Sequence, residues 1–284
     1  MQSIIDTHLH TWDLNRCSYY WLEGNDSILA QSYFIEQVNP QLEEAGVTSA
    51  VLVQATNQLK ESDWLLSLSE SHNWIEGAII WLPLMDPQAC ERALEKYLTN
   101  PWFKGVRHQI HDEPNEKWLL QPSVVESLQM LASHNIPYDL VGIKNCHTRT
   151  ALKLAEKLPD LKMVFDHLNQ PPISNNIAKE FGEWGMLMKE ASLNPNFSIK
   201  VSGLGATTAK GKEWRSVDIK PFVEYVLEIF GTGRVFCGSD WPVAELSGSY
   251  NYTWQQYREV LQQLLTPDEL DKVYQQNARK FYNL

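Results

Sequence analysis

Short, almost continuous runs of Ile, Val, Leu and Phe alternate with longer amphipathic segments along this 284-residue chain. Strands covered on both faces have this composition, whereas strands with one solvent face alternate apolar and polar residues. We therefore expect parallel strands joined by helices. The runs predicted as strands are residues 4–10, 48–55, 75–84, 103–111, 136–143, 161–168, 197–204 and 234–241.

Helical patterns fill the gaps between these runs. Asp86-Pro87 is typical of a helix cap and first turn, and it predicts a helix over residues 86–98. Gly46 is placed to end a helix that begins at Asn39-Pro40. Thr266 is predicted to cap a last helix. The other predicted helices are residues 61–71, 122–134, 148–158, 176–193, 220–230 and 253–265.

Eight strands that alternate with helices predict a (β/α)8 TIM barrel, with residues 1–284 forming a single domain. The main alternative is a doubly wound open sheet. It is disfavoured because no glycine-rich phosphate-binding turn follows the first strand. No linker or internal repeat divides the chain.

The charge balance excludes two classes of partner. The formal net charge is −11 and Lys and Arg do not cluster, so we expect neither nucleic acid nor an anionic membrane as partner. No apolar run reaches the ~20 residues of a membrane span, and no signal-peptide pattern is present. The four cysteines are far apart. We expect a cytoplasmic protein with a small-molecule substrate.

The first predicted strand ends in two histidines, His8 and His10. Because side chains alternate between the faces of a strand, both imidazoles point one way and Leu9 points the other. Two imidazoles on one face can bind one divalent metal or flank one substrate carbonyl. Asp6 is expected on the same face, one layer deeper, where it could orient a histidine or form a pair inside the barrel.

Other strands also end in polar residues, and barrels of this type carry their chemistry at that end. Asp240 either acts in a site or caps a loop, and His167 is either functional or a satisfied buried histidine. Arg107 is expected to pair with a carboxylate such as Asp139 or with a ligand, whereas His108 should face the other way. Histidines assigned to surface or helix positions are His72, His111, His134 and His147.

Several segments resemble, in order, motifs of the amidohydrolase superfamily and of its lactonase-like branch. They are residues 6–13 (DTHLHTWD), 105–108 (GVRH), 137–140 (PYDL), 160–168 (DLKMVFDHL), 238–242 (GSDWP) and 277–282 (NARKFY). The resemblance implies hydrolysis of a cyclic ester of a sugar acid or of a related small carboxylated lactone. The catalytic centre that it implies consists of His8, His10, His167 and Asp240.

The resemblance leaves the metal content open. Metal-rich members of the superfamily place a histidine on strand 5 and often a carboxylated lysine or a glutamate on strand 4 or 5. This chain has Tyr138 and Asp139 on strand 5, so a binuclear centre is disfavoured. The site either holds one divalent ion, for which Zn²⁺ is the first choice, or works without metal. The residues implied as metal ligands are His8, His10 and Asp240, with His167 as a further ligand.

Asp240 is expected to act as general base, taking a proton from the attacking water and returning it to the ring oxygen. The three histidines would polarise the ring carbonyl, either directly or by holding the metal. Asn169-Gln170-Pro171 stands where the branch has Gly-Lys-Pro, which changes how the substrate is held. Residues expected to bind substrate are Arg107, His108, Tyr138, Gln54, Trp12, Trp81 and Trp241.

Two other functions are compatible with the sequence. A metal-dependent decarboxylase or hydratase of an aromatic or unsaturated acid can use the same barrel, and a non-catalytic sugar-binding barrel would keep the pocket without the chemistry. A phosphoesterase or DNase is disfavoured, since it would need more metal ligands and a less acidic chain. The aromatic segment 12–21 forms either a lid or an interface, and the oligomeric state is open.

Overall fold

The computed structural model describes residues 2–24, 26–173 and 181–284. Within them, eight parallel strands pair in the order of the chain. The sheet closes on itself, since the Asp240 N–H donates to the His8 carbonyl at 2.8 Å and the His10 N–H donates to the Trp241 carbonyl at 2.7 Å. The strands are β1 (Ile5–Leu9), β2 (Ser49–Val53), β3 (Ile75–Ile80), β4 (Phe103–His108), β5 (Tyr138–Leu140), β6 (Met163–Phe165), β7 (Phe197–Val201) and β8 (Val235–Cys237). Each strand lies inside its predicted run, and the predicted (β/α)8 barrel is confirmed.

Helices connect the strands and follow β8. They are α1 (Ile35–Ala45), α2 (Leu59–Ser71), α3 (Pro87–Leu98), α4 (Pro122–Ser133), α5 (Asn145–Lys157), α6 (Gly182–Ser192), α7 (Leu204–Thr207), α8 (Ser216–Phe230), α9 (Tyr250–Leu264), α10 (Pro267–Asp271) and α11 (Asn277–Tyr282). The Asp86 carboxylate caps α3 as predicted, accepting from the Ala89 N–H at 3.0 Å. The predicted start of the sixth helix, residue 176, lies outside the described residues. In the described ranges, no helix is long and apolar enough to cross a bilayer.

Helix α1 begins earlier than predicted. The Asn39-Pro40 pair predicted its first turn, yet the helix starts at Ile35 and contains the proline. The Gln37 side chain accepts a hydrogen bond from the Phe34 N–H and so caps the earlier start. The buried stripe of the helix comprises Ile35, Val38, Leu42 and Ala45. Packing of this stripe decides where the helix starts, because tertiary burial outweighs a local cap signal.

Two hydrophobic cores stabilise the barrel. The larger one joins the strands to the surrounding helices. The smaller one fills the barrel interior and consists of Ile5, Val51, Val53, Ile79, Val164 and Phe236 with Ala278 and Tyr282. Because the Asn283 carbonyl accepts from Lys104 near the start of β4, α11 covers the amino-terminal end of the barrel. The candidate active site lies at the opposite, carboxyl-terminal end of the strands.

A β-bulge in β1 sets the direction of its histidines. The register against β2 shifts in the segment after Asp6. Ile5 faces the barrel interior, whereas the Asp6 carboxylate accepts from the Ser239 N–H at 2.8 Å and from the Tyr250 hydroxyl on α9 at 3.0 Å. The prediction that Asp6 shares a face with His8 is therefore wrong, because the extra residue of the bulge resets the alternation.

Glu61 on α2 is a buried carboxyl group that holds the loop after β2. Its Oε2 accepts from the N–H groups of Ala55 and Thr56 at 2.9 and 3.0 Å. Burial raises the pKa of Glu61 from 4.5 to about 8. The folded protein therefore binds this proton more tightly than the unfolded chain does. The stability that results is fully present below pH 4.5 and is lost as the pH rises through about 8.

We expect Glu61→Gln to melt close to wild type at about pH 5 and above wild type at about pH 9. The amide stays neutral, whereas ionising the buried carboxyl costs about 1.4 kcal/mol per unit of pKa shift. Circular dichroism melts across this range measure the difference in Tm, with Glu70→Gln, exposed on the same helix, as control. A difference that does not change with pH would contradict the prediction.

Candidate active site

His8 and His10 stand at the carboxyl end of β1 with their Nε2 atoms 3.1 Å apart. The Nδ1 of His10 lies 2.8 Å from the Val53 carbonyl oxygen. A carbonyl can only accept, so His10 carries a proton on Nδ1, and in the neutral ring the lone pair is on Nε2. The Nδ1 of His8 lies 3.2 Å from Asp166 Oδ1. Both rings are thus held from one side and direct Nε2 into the same space.

Asp240 and His167 complete this group. Asp240 Oδ1 lies 3.8, 3.5 and 3.9 Å from the Nε2 atoms of His8, His10 and His167. The Nδ1 of His167 lies 2.9 Å from the Ser202 hydroxyl, which holds the ring. The four residues implied as a catalytic centre by the sequence therefore meet at one point, although they come from three different strand ends.

The backbone that presents His167 and Asp240 is left-handed. Residues 167–170 have φ between 49° and 55°, and Asp240 has φ 65°. Such conformations cost roughly 1–2 kcal/mol per residue without glycine. They persist where surrounding contacts hold them, which is common at functional sites. The turn also brings Gln170 to the cavity above the histidines.

Gly203, just after β7, permits this close arrangement. Its φ is 60°, and a Cβ atom there would lie 2.7 Å from both Asp240 Oδ2 and His167 Nδ1. Any side chain would displace these two groups. Both the backbone conformation and the available space therefore require glycine at this position.

The electrostatics of the group favour a bound cation. Burial lowers the pKa of His8 well below its ordinary value and also lowers that of His167, so both rings are neutral at pH 7. Nε2 of His10 and the Asp240 carboxylate face them at close range. His8, His167 and Asp240 offer ligand atoms within 4.8 Å of one another. Zn²⁺ binds imidazole nitrogen and carboxylate oxygen, so it fits these donors.

A buried ionic network lies beneath the histidines. Asp166 Oδ2 accepts from Arg107 Nε at 3.0 Å, and Asp166 Oδ1 lies 3.1 Å from Lys200 Nζ. Lys200 also donates to Asp139 Oδ2 at 2.6 Å, and the Tyr282 hydroxyl donates to Asp139 at 2.9 Å. Arg107 pairs with a carboxylate as expected, but its partner is Asp166 and not Asp139. Asp139 instead neutralises Lys200, which is fully buried and needs an anionic partner.

A cavity of about 210 Å³ opens above the four residues. Its apolar lining consists of Trp12, Trp21, Ala55, Val141, Ile143, Ala206 and Val243. Its polar lining consists of His10, Arg107, Gln109, His111, His167, Gln170 and Asp240. The rings of Trp12 and Trp21 meet edge to face at 5.2 Å. The aromatic segment 12–21 therefore contributes to the cavity wall.

The profile of the amidohydrolase family matches residues 5–284. The chain belongs to the amidohydrolase family. It is 26% identical over 283 residues to an L-fucono-1,5-lactonase of Burkholderia ambifaria, an alignment that covers 99% of this chain and 95% of the relative. It is 29% identical over 199 residues to an L-rhamnono-gamma-lactonase of Scheffersomyces stipitis, covering 64% of this chain and 59% of the relative.

A crystal structure of an amidohydrolase from Burkholderia multivorans, with bound zinc, has the same fold. Its TM-score is 0.89 at 24% identity, and the superposition covers 99% of each chain. The agreement extends over the whole barrel. At 24% identity this similarity shows a shared fold. The chemistry of the site depends on its own residues.

Of the predicted substrate-binding residues of this amidohydrolase, Arg107 and Trp12 line the cavity. Those that the structure places outside its lining are His108, Tyr138, Gln54, Trp81 and Trp241. Strand alternation explains His108 and Tyr138. Their neighbours Arg107 and Asp139 point into the barrel, so these two side chains point outward. His108 stacks on Trp118 at 4.0 Å, and Tyr138 belongs to the outer core.

The other three also have roles in packing or support. Arg107 Nη1 donates to Gln54 Oε1 at 2.9 Å, so Gln54 holds a residue of the cavity from behind. The indole N–H of Trp81 donates to His108 at 2.9 Å, and that of Trp241 donates to Glu245 at 2.8 Å.

Four polar or aromatic residues of the cavity are not among the residues that were expected to bind substrate. They are Trp21, Gln109, His111 and Gln170. All of them lie beyond the ends of strands, where the alternation of side chains no longer predicts direction. Gln109 follows β4 directly, and this position at a strand end was the available signal.

Proposed function

We propose that this amidohydrolase opens the ring of a small sugar-acid lactone, with one divalent ion, best matched by Zn²⁺. The observation that carries the proposal is the convergence of three imidazole Nε2 atoms on Asp240 Oδ1, all within 3.9 Å, at the base of the cavity. The two relatives named as sugar-acid lactonases support the substrate class. The zinc bound by the Burkholderia multivorans protein supports the metal.

The residues that would hold the ion are His8, His10 and Asp240, with His167 as a further ligand. A bound ion would supply Lewis-acid polarisation of the lactone carbonyl. His10 is oriented for this role by its contact with the Val53 carbonyl at 2.8 Å, which places the lone pair of the neutral ring on Nε2. The burial of His8 acts in the same direction, since it keeps the ring neutral.

Asp240 moves the proton in the proposed reaction. Its Oδ1 faces the histidines, and its Oδ2 lies beside Gly203 at the cavity wall. Water attacks the ring carbonyl carbon while Asp240 takes its proton, and a tetrahedral oxyanion forms. The oxyanion then collapses, the bond from the carbonyl carbon to the ring oxygen breaks, and Asp240 returns the proton to that oxygen. The product is the open hydroxy acid.

Arg107 and the aromatic wall would orient the substrate. Arg107 Nε and Nη1 are held by Asp166 and Gln54 at 3.0 and 2.9 Å. Within the described residues, Nη2 has no hydrogen-bond partner, and Arg107 lines the cavity. A guanidinium held on one side can direct its free N–H groups at a substrate hydroxyl or carbonyl with little further loss of entropy. Trp12 and Trp21 offer apolar surface to the carbon face of the ring.

A pH-indicator screen of sugar-acid 1,4- and 1,5-lactones on zinc-loaded protein tests the proposal. We expect at least one lactone to be opened with kcat/KM of about 10⁴ M⁻¹s⁻¹ or more, the lower range for natural substrates. Hydroxybenzoic and unsaturated acids are assayed in parallel for decarboxylation and hydration. Turnover of such an acid without turnover of any lactone would contradict the proposal, as would binding of lactones without hydrolysis.

A further inference from the structure

Asp166 follows β6 directly and joins the proposed metal ligands to the ionic network beneath them. Its Oδ1 lies 3.2 Å from His8 Nδ1 and 3.1 Å from Lys200 Nζ. Its Oδ2 accepts from Arg107 Nε at 3.0 Å. The side chain is fully buried. It meets His8 at the ring nitrogen that faces away from Asp240, so it acts on the centre through His8.

Two groups face Nδ1 of His8. The Lys200 ammonium lies 3.3 Å from it and donates to Asp139 Oδ2 at 2.6 Å and to the Thr7 carbonyl at 3.3 Å. Asp166 Oδ1 lies 3.2 Å from it and is buried without another hydrogen-bond partner in the described part of the chain. If Nε2 binds an ion as proposed above, the neutral ring carries its proton on Nδ1, where the Asp166 carboxylate can accept it and the ammonium cannot.

We propose that Asp166 is a positioning residue that holds His8 in the tautomer with the proton on Nδ1, so that the lone pair on Nε2 is available to the divalent ion. The inference rests on the metal site proposed above. A carboxylate behind a metal-binding histidine fixes the orientation of the ring and raises its basicity as a ligand. Arg107 and Lys200 hold the carboxylate from its other sides, which leaves Asp166 little freedom to turn.

The surroundings of Asp166 require a carboxylate and not an amide. Two of its neighbours, Lys200 Nζ and Arg107 Nε, can only donate, and His8 Nδ1 donates in the proposed tautomer. Asparagine has one acceptor oxygen and would turn its NH₂ group toward at least one of them. Arg107 and Lys200 cannot give up their hydrogens, whereas His8 can move its proton to Nε2. In that tautomer, Nε2 no longer has a lone pair for a metal.

Zinc affinity measured by competition with a chromogenic chelator at fixed pH tests the inference. We expect Asp166→Asn to bind zinc ~10- to 100-fold more weakly than wild type, the usual cost of losing such a partner. Asp139→Asn is the matched control. Asp139 is equally buried and contacts the same Lys200 ammonium, and its hydrogen bonds in the described chain go to Lys200 and Tyr282 and not to a histidine. Its zinc affinity should stay close to that of wild type.

A second measurement needs no variant, so it does not depend on folding of the mutants. Proton–nitrogen correlation spectra of zinc-free wild type report the His8 tautomer, and we expect the proton on Nδ1. The inference is overturned by a proton on Nε2, by wild type that binds no zinc, or by equal zinc affinity in wild type and Asp166→Asn. Equal weakening in both variants would also overturn it. Neither readout uses a substrate, so an error in the substrate class does not affect this test.

Discussion

Asp240→Asn is expected to lower kcat for the lactone by ~10²- to 10⁴-fold, the range typical of losing a general base. Asparagine has nearly the same shape as aspartate and tolerates the left-handed conformation of residue 240, where φ is 65°. The amide cannot take a proton from water. The variant therefore removes the proton transfer and keeps the backbone of the strand end.

Steady-state kinetics measure this effect, and the zinc content of each sample is determined beside it. Rates are compared per bound zinc, because Asp240 is also a proposed ligand. Asp63→Asn serves as control, since Asp63 is an exposed carboxylate that pairs with Lys96 at the surface. If Asp240→Asn keeps a rate per zinc within about tenfold of wild type, the role of general base is lost.

Removal of zinc is expected to abolish turnover, and addition of one equivalent should restore it. Without the ion, polarisation of the carbonyl is lost, and the lone pairs of the four side chains repel one another. The ion should also stabilise the fold, by about 2.7 kcal/mol when free zinc is at ~100 times its Kd. Activity and Tm are measured after chelation and after zinc is added back.

Two histidine variants localise the ion. His8→Asn should lose both the zinc-dependent activity and the zinc-dependent rise in Tm. His134→Asn, at an exposed position after α4, should keep both. Full turnover by protein shown to contain no metal would contradict the proposal and would favour direct polarisation by neutral histidines.

Local sequence patterns predicted the order of the elements because their causes are local. The apolar runs of β1 to β8 reflect burial on both faces, and the cap of α3 depends on residues only three positions apart, Asp86 and Ala89. Where a cap signal competed with packing, as at Pro40 in α1, the predicted helix boundary was wrong. Burial of a whole helix face depends on residues that are distant in the sequence, so a short stretch of sequence does not predict it.

The candidate centre could be predicted because the carboxyl ends of all strands of a barrel lie on the same side. His8, His10, His167 and Asp240 all lie at such ends, and they come together there. The lining of the cavity was predicted less well, because loops supply most of it and their side chains do not follow strand alternation. Tyr138 was expected to bind substrate, whereas the pleat of β5 turns it to the outer core.

Sequence alone was enough for the barrel and for its amidohydrolase character, and it named four residues that the structure brings together, because periodicity and short motifs report local structure. The tertiary structure decided which charges pair. Arg107 and Asp166 are 59 residues apart, Asp139 and Lys200 are 61, and the carboxylate of Asp6 binds the Ser239 N–H across 233. Such contacts arise when closure of the sheet brings distant strands together, so a local sequence pattern cannot predict them.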